Sequence, residues 1–140
     1  MKKTFREIQG KEIRESIIED IFYNKGFICM IVLNKLRVYK GNRISKLKFI
    51  PDWRCAYVGL RPSHVLYNIK YKEINSKGIL STNLTYSQKG DGKVFRKGYW
   101  WIGFDTMIFL KTVSLYKMKM KINVLAEGLT TKNLILKNLK

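Results

Sequence analysis

The sequence predicts an α+β fold: a mostly antiparallel sheet of four to six strands, with an N-terminal helix and a short C-terminal helix. Three observations lead to this prediction. Apolar residues recur at three- and four-residue steps from 4 to 22, as in an amphipathic helix. Apolar or alternating runs of strand length follow at 27–33, 53–59, 79–87 and 98–104. The segment QKGDGK, 88–93, contains the Asp-Gly pair typical of hairpin turns.

The N-terminal helix is expected within residues 1–22. Thr4 and Glu7 have the spacing of a capping box, in which each side chain bonds the backbone of the other. Gly10 weakens such a helix by about 1 kcal/mol relative to alanine. The turn-forming segment NKG at 24–26 ends it.

The sheet is expected over residues 27–106. The continuous apolar run FICMIVL, 27–33, indicates a central strand, and the basic segment 34–52 indicates a long hairpin with KGN at its tip. In the strand GYWWIGF, 98–104, Trp100 and Trp101 point to opposite faces. Because Ile102 and Phe104 share the face of Trp100, we expect Trp100 in the core and Trp101 more exposed.

The C-terminal part, 107–140, reads as a basic tail of a single domain that spans residues 1–140. Residues 107–128 contain strand-like pieces, and TTKNLILKNLK predicts a short helix with a threonine cap. Its apolar stripe is weak, so the sequence does not predict where this tail packs.

The net charge is +18, from 28 basic and 10 acidic side chains. Residues 1–20 are balanced, with five of each, whereas residues 21–105 carry sixteen basic and four acidic side chains. A basic body predicts a polyanionic partner, such as nucleic acid, held by a non-enzymatic binding module. The candidate contacts are Arg37, Lys40, Arg43, Lys46, Lys48, Arg54, Lys93, Arg96 and Lys97. The alternative is a lysine-rich surface that reflects an AT-rich genome, since lysines outnumber arginines by 21 to 7.

A second functional hypothesis is an accessory or counter-defence domain that binds a small ligand or a host protein. Aromatic and titratable side chains at the ends of strands and turns provide its candidate pocket. These residues are Arg61, His64, Tyr67, Trp101 and Asp105.

The sequence predicts no catalytic residues, no metal site and no cofactor. It contains no GxSxG motif, one histidine and no CxxC pair, and few carboxylates beyond residue 20. Cys29 and Cys55 lie in apolar runs and are expected to be buried free thiols. The charged N-terminus and the lack of a long apolar run predict a cytoplasmic protein without a membrane partner.

Four motifs resemble a family of small uncharacterised proteins of phages and bacteria. They are WRCAYVG (53–59), PSHVLY (62–67), NLTYS (83–87) and WWIGFDT (100–106). The resemblance implies a phage or mobile-element origin and supplies no mechanism. It stops after Asp105, where the family continues with a histidine and an acidic stretch. If its lysines use the codon AAG, KMKMK, 117–121, reads Asp-Glu-Asp-Glu in another frame, and we therefore hypothesise that residues 106–140 are a shifted reading frame.

Overall fold

The computed structural model describes residues 3–46, 50–109 and 111–138. Within these ranges seven strands form one antiparallel sheet in the order β1-β2-β3-β5-β7-β6, and β4 pairs with β3. The α+β class and the antiparallel sheet are therefore confirmed, with one strand more than expected. The elements are β1 (Thr4–Gln9), β2 (Glu12–Asn24), β3 (Phe27–Lys40), β4 (Arg43–Lys46), β5 (Trp53–Leu60), α1 (Tyr71–Ser76), β6 (Tyr86–Lys89), β7 (Trp100–Asp105) and α2 (Leu115–Asn138).

The predicted N-terminal helix is wrong, because residues 4–22 form the hairpin of β1 and β2. Gln9 pairs with Glu12 across a two-residue loop, and Gly10 has a φ of 62°. Hairpin loops of this length favour glycine at a position of positive φ. A register shift between Ile18 and Asp20 interrupts the alternation of β2. Since such a bulge moves the following side chains to the other face, the apolar spacing imitates a helical period.

The hairpin expected over 34–52 is present and is shorter than predicted. β4 pairs with the last residues of β3, and Lys40 pairs with Arg43 across the tip at Gly41–Asn42. The paired segments of β1, β2, β3 and β4 form an arm of the sheet. We call this end, residues 40–46, the arm tip.

The alternation predicted for β5 and β7 is confirmed by their register. Ala56 pairs with Phe104 and Val58 with Ile102, and these four side chains belong to one apolar cluster. Cys29 pairs with Val58, whereas Cys55 pairs with Val32. Because cross-strand partners share a face, the two cysteines lie on opposite faces. Both are free and buried, as predicted.

The segment 79–87 is strand only at its end. β6 begins at Tyr86, and the preceding chain is held by the side chain of Asn75. That amide accepts a hydrogen bond from the Leu84 N–H at 3.0 Å and donates one to the Leu84 carbonyl at 2.7 Å. The backbone groups that a longer strand would pair are thus bonded to α1 instead.

The predicted C-terminal helix is confirmed, but it is longer than expected and packs against the sheet. α2 has 24 residues, and the Ser114 hydroxyl accepts the Lys117 N–H at its start. The Lys-Met alternation at 117–121 has the period of a strand, which hid a helical stripe of buried residues. These residues are Met118, Ile122, Leu125, Ala126 and Leu129.

The main apolar core lies between α2, α1 and one face of the sheet, which we call the helix side. Its sheet residues include Ile31, Val58 and Ile102, and α2 supplies Ile122 and Leu125. Of the helices in the described ranges, none is both long and apolar enough to span a lipid bilayer.

Candidate functional site

The sheet face opposite α2, which we call the open face, carries a second apolar cluster. Its buried members from the strands are Ile18, Ile28, Met30, Val32 and Trp101. Cover for this cluster comes from the segment 90–99, whose Phe95 is buried against it. No helix lies on this face within the described residues, so its cover is less complete.

An aromatic cluster joins the segment 90–99 to the sheet. The Phe95 ring lies 4.9 Å from Tyr57, 5.4 Å from Tyr86 and 5.6 Å from Trp101, measured between ring centroids. Gly103 makes room for the Tyr57 ring of this cluster, because a Cβ on residue 103 would lie 2.5 Å from that ring. The cluster therefore fixes the segment over the strands and holds its basic residues in place.

Asp91 organises the turn that leads to Phe95. Its carboxylate accepts hydrogen bonds from the N–H groups of Lys93 at 2.8 Å and Phe95 at 3.1 Å. Desolvation acts to raise the pKa of Asp91, but these backbone donors outweigh it, and the pKa is lowered. The ionised carboxylate thus stabilises the turn.

Between this turn and β2–β3 lies a groove of about 490 Å³, which we call the open-face groove. Its volume is in the range of small-ligand sites. The apolar lining consists of Ile18, Ile21, Ile28, Met30, Val94 and Trp101. Lys3, Lys93 and Arg96 add three cationic side chains, so the groove combines an apolar floor with basic edges.

The acidic residues of the groove are neutralised by partners elsewhere. Glu19 accepts bonds from Arg54 at 2.6 and 3.3 Å, and Asp20 lies 2.9 Å from the ammonium of Lys119. By contrast, no ion pair among residues 3–46, 50–109 and 111–138 involves Lys3, Lys93 or Arg96. The groove consequently has an uncompensated positive charge.

Two of the nine predicted nucleic-acid contacts are occupied inside the molecule. Arg54 is mostly buried, and besides Glu19 it bonds the Val113 carbonyl at 2.7 Å. Arg37 forms an ion pair with Asp52 at 3.1 Å. Both guanidinium groups stabilise the fold, so their assignment as surface contacts is corrected. Their acidic partners lie 15 and 35 residues away in the chain, so the local sequence does not indicate that the two arginines are paired.

The other predicted contacts fall into two groups. Lys93, Arg96 and Lys97 are exposed beside the open-face groove. Lys40, Arg43 and Lys46 are exposed at the arm tip. About ten strand residues separate Met30 in the groove from Lys40, a distance of roughly 33 Å. Lys48 lies outside the described residues.

The predicted aromatic pocket is not assembled. His64 is buried on the helix side, where Nδ1 accepts the Leu66 N–H at 3.0 Å and Nε2 lies 3.0 Å from the Leu129 carbonyl. These contacts fix the tautomer with the proton on Nε2, which donates to α2. Trp101 and Asp105 lie on the opposite face, so they share no pocket with His64. Arg61 and Tyr67 stay near His64, at the ends of the turn around it.

The exposure predicted for the two adjacent tryptophans is reversed. Trp101 is only 1% exposed, and its indole N–H donates to the Arg96 carbonyl at 3.0 Å. Trp100 is half-buried at the edge of the helix side and donates to the Ile69 carbonyl at 2.9 Å. The alternation was correct, but the segment 90–99 covers the face that the sequence left open. The ring of Trp101 is therefore not accessible for a base to stack on.

A polar network lies on the open face toward the arm. The Ser16 hydroxyl donates to the Asn34 side-chain oxygen at 2.7 Å, and the Asn34 amide donates to the Cys55 sulfur at 3.1 Å. Burial raises the pKa of Cys55 to about 11, so this thiol is protonated at neutral pH. Asp105 accepts the Met107 N–H at 3.2 Å and caps the end of β7.

Two exposed residues of β2 beside the groove were not identified as candidate site residues from the sequence. Ile21 is 51% exposed and Tyr23 is 61% exposed, and their partners Met30 and Ile28 belong to the open-face cluster. The assumed helix concealed this pattern. An alternation that restarts after the bulge would have placed both side chains on one face.

Among the described residues, no group of three or more histidine, cysteine, aspartate or glutamate side chains could hold a metal ion. Comparison with known protein families, with curated proteins and with solved structures found no match. The resemblance to phage and bacterial proteins therefore stays a prediction.

Proposed function

We propose that this protein is a non-enzymatic module that binds nucleic acid or another polyanion through a basic surface on the open face. The observation that carries this proposal is the state of the charges around the open-face groove. The acids Glu19 and Asp20 are paired, while Lys93 and Arg96 have no ionic partner within the described part of the chain. A phosphate group would supply the missing anion.

The surface is well suited to contacts with a phosphate backbone. Lys93, Arg96 and Lys97 lie in a segment that Phe95 and Asp91 hold in place, so binding orders few additional residues. Lysine is a flexible point charge without the planar fork of arginine. The predominance of lysine therefore favours contacts to phosphates over recognition of bases, and weak affinity without sequence preference.

The state of the potential nucleophiles supports a binding role. Burial raises the pKa of Cys29 to about 12 and that of Cys55 to about 11, so neither thiol forms the reactive thiolate near neutral pH. The imidazole of His64 is engaged through both nitrogens. These groups stabilise the fold.

A salt series with fluorescent single-stranded and duplex DNA tests the proposal. We expect dissociation constants of about 10⁻⁴ to 10⁻⁶ M, rising steeply between about 50 and about 200 mM salt as counterions are released. In Lys93→Gln/Arg96→Gln/Lys97→Gln, the slope of log K against log salt should fall by about 2 for single strands, since each phosphate contact contributes about 0.7.

The matched control is Lys72→Gln/Lys111→Gln/Lys117→Gln, which removes the same charge from exposed positions on α1, α2 and the chain between them. It should leave the slope near that of the parent. A third variant, Lys40→Gln/Arg43→Gln/Lys46→Gln, measures the contribution of the arm tip. If the parent binds neither DNA nor RNA at about 50 mM salt, the proposal fails.

A second candidate function is the binding of a small anionic ligand, and the volume of the open-face groove favours it. A ligand with one negative group and an apolar body would use Arg96 and the floor at Met30. Its affinity would depend only weakly on salt, because few counterions are released. The same salt series therefore separates the two functions.

A further inference from the structure

Tyr23 is an exposed aromatic side chain beside the basic groove. It lies on the same face of β2 as Ile21, which lines the open-face groove, and is about 7 Å further along the strand. Its cross-strand partner Ile28 lines the groove as well. Tyr23 and Ile21 thus form an accessible apolar edge next to Lys93 and Arg96.

The side chains of this edge are not part of either of the two apolar clusters. Tyr23 is 61% exposed and belongs to no buried cluster of the described residues. Trp101, by contrast, is covered and already bonded through its indole N–H. Tyr23 is therefore an aromatic side chain beside the groove whose ring a ligand can reach.

We propose that the open-face groove binds single-stranded nucleic acid, with a base stacked on Tyr23 and the phosphates at Lys93 and Arg96. This inference rests on the proposed function and specifies its ligand. Stacking on a tyrosine requires an accessible base, which an unpaired strand provides. In a duplex the faces of the bases are covered by their neighbours, and only the phosphate contacts remain.

A binding titration compares Tyr23→Ala with the parent on a fluorescent oligothymidine and on a duplex of equal length. Loss of one stacked base should weaken single-strand binding about tenfold, within the range measured for alanine substitutions at stacking sites. Duplex binding should stay the same, because the charges are unchanged. Tyr23→Phe retains the ring and should bind the single strand like the parent.

The matched control is Tyr116→Ala. Tyr116 is 73% exposed on α2, on the other side of the molecule, so its removal changes exposed aromatic area without touching the groove. Thermal melting by circular dichroism should show that both variants fold, since neither side chain is buried.

The outcomes separate this inference from the proposed function. If Tyr23→Ala binds the single strand as tightly as the parent does, or weakens duplex binding equally, the stacking role is overturned while polyanion binding stands. The same holds if the parent prefers the duplex. If the parent binds neither probe, both proposals are overturned.

Discussion

Both faces of the sheet carry buried apolar rows, but they are covered in different ways. On the helix side, α2 inserts Met118, Ile122 and Leu125 among the strand residues. The side chain of His64 bonds this helix to the turn of residues 61–67. On the open face, a turn with one buried aromatic residue, Phe95, gives partial cover, and a groove stays beside it.

The charged side chains around the open-face groove differ in whether they have ionic partners. The acids that line the groove are bound by cations outside it, since Asp20 is paired with Lys119 of α2 and Glu19 with Arg54. Lys93 and Arg96, on the open face, are free of ionic partners in the described ranges. A face packed against a long helix points to stability, whereas a partly covered face whose groove has cationic edges points to binding.

The largest effect is expected from Trp101→Ala. This side chain is the largest in the open-face cluster, and its removal leaves a cavity against Phe95 and exposes the groove floor. The free energy of unfolding should fall by about 3–5 kcal/mol in a urea titration. Trp100→Ala should cost less, since Trp100 is only half-buried. The reverse order would show that the segment 90–99 does not cover the sheet.

The next effect tests the closure of the helix side. Ile122→Ala removes a fully buried side chain of α2 and should lower the free energy of unfolding by about 2–5 kcal/mol. The exposed Val124→Ala, two residues away, is the control and should stay within about 0.5 kcal/mol. If residues 106–140 were an accidental reading frame that does not pack, both variants would melt like the parent.

A smaller loss of stability is expected from a substitution at Gly103, in the middle of β7. Gly103→Ala places a methyl group 2.5 Å from both the Ala56 carbonyl and the Tyr57 ring. Overpacking of this kind typically costs about 1–3 kcal/mol. Chemical denaturation measures this loss of stability. The near-ultraviolet circular dichroism of the folded variant should also change, because the aromatic cluster has moved. An unchanged spectrum and midpoint would contradict the close approach of Gly103 to the Ala56 carbonyl and the Tyr57 ring.

The sequence predicted those parts of the fold whose signal is local. The alternation of β5 and β7, the apolar run of β3 and the buried thiols needed only the pattern of neighbouring residues. The N-terminal hairpin was missed because the bulge at Ile18–Asp20 broke its period. The C-terminal helix was predicted too short, because the Lys-Met alternation at 117–121 suggested a strand, although Met118, Ile122, Leu125 and Leu129 have helical spacing.

The site was predicted less well than the fold, since its residues come from distant segments. Lys93, Arg96 and Lys97 were identified by charge alone, and the structure brings two of them to a groove with Lys3. Arg37 and Arg54 are not available for binding, because each is paired with an acid far away in the chain. The exposure of Tyr23 depends on the register of β2, which a helical interpretation does not contain.

The pH dependence of stability should report the contact of His64 with α2. Burial lowers the pKa of His64, the Leu129 carbonyl opposes this, and Lys137 adds to it. The unfolded chain therefore takes up a proton near pH 6.5 while the folded protein does not. The contribution of His64 is complete above that pH, and the free energy of unfolding should fall as the pH decreases below it. His64→Asn should flatten this slope between about pH 7 and 5.

The smallest effect concerns the turn that carries the basic residues of the groove. The pKa of Asp91 is lowered by the N–H groups of Lys93 and Phe95, against a desolvation that acts to raise it. Its stabilisation is present above the ordinary pKa of 3.8 and is lost as the pH falls through the lowered value. The amide resonances of Lys93 and Phe95 should therefore shift together in acid, with little change in global stability.

Asp91→Ala should reproduce that opening at neutral pH, whereas Asp91→Asn keeps one acceptor oxygen and should change the two amides less. If the turn positions Lys93 and Arg96 for binding, Asp91→Ala weakens DNA binding even though it raises the net charge by one. Charge alone would predict tighter binding. An increase in affinity for Asp91→Ala would therefore show that the basic surface acts through its charge and not through the geometry of the open face.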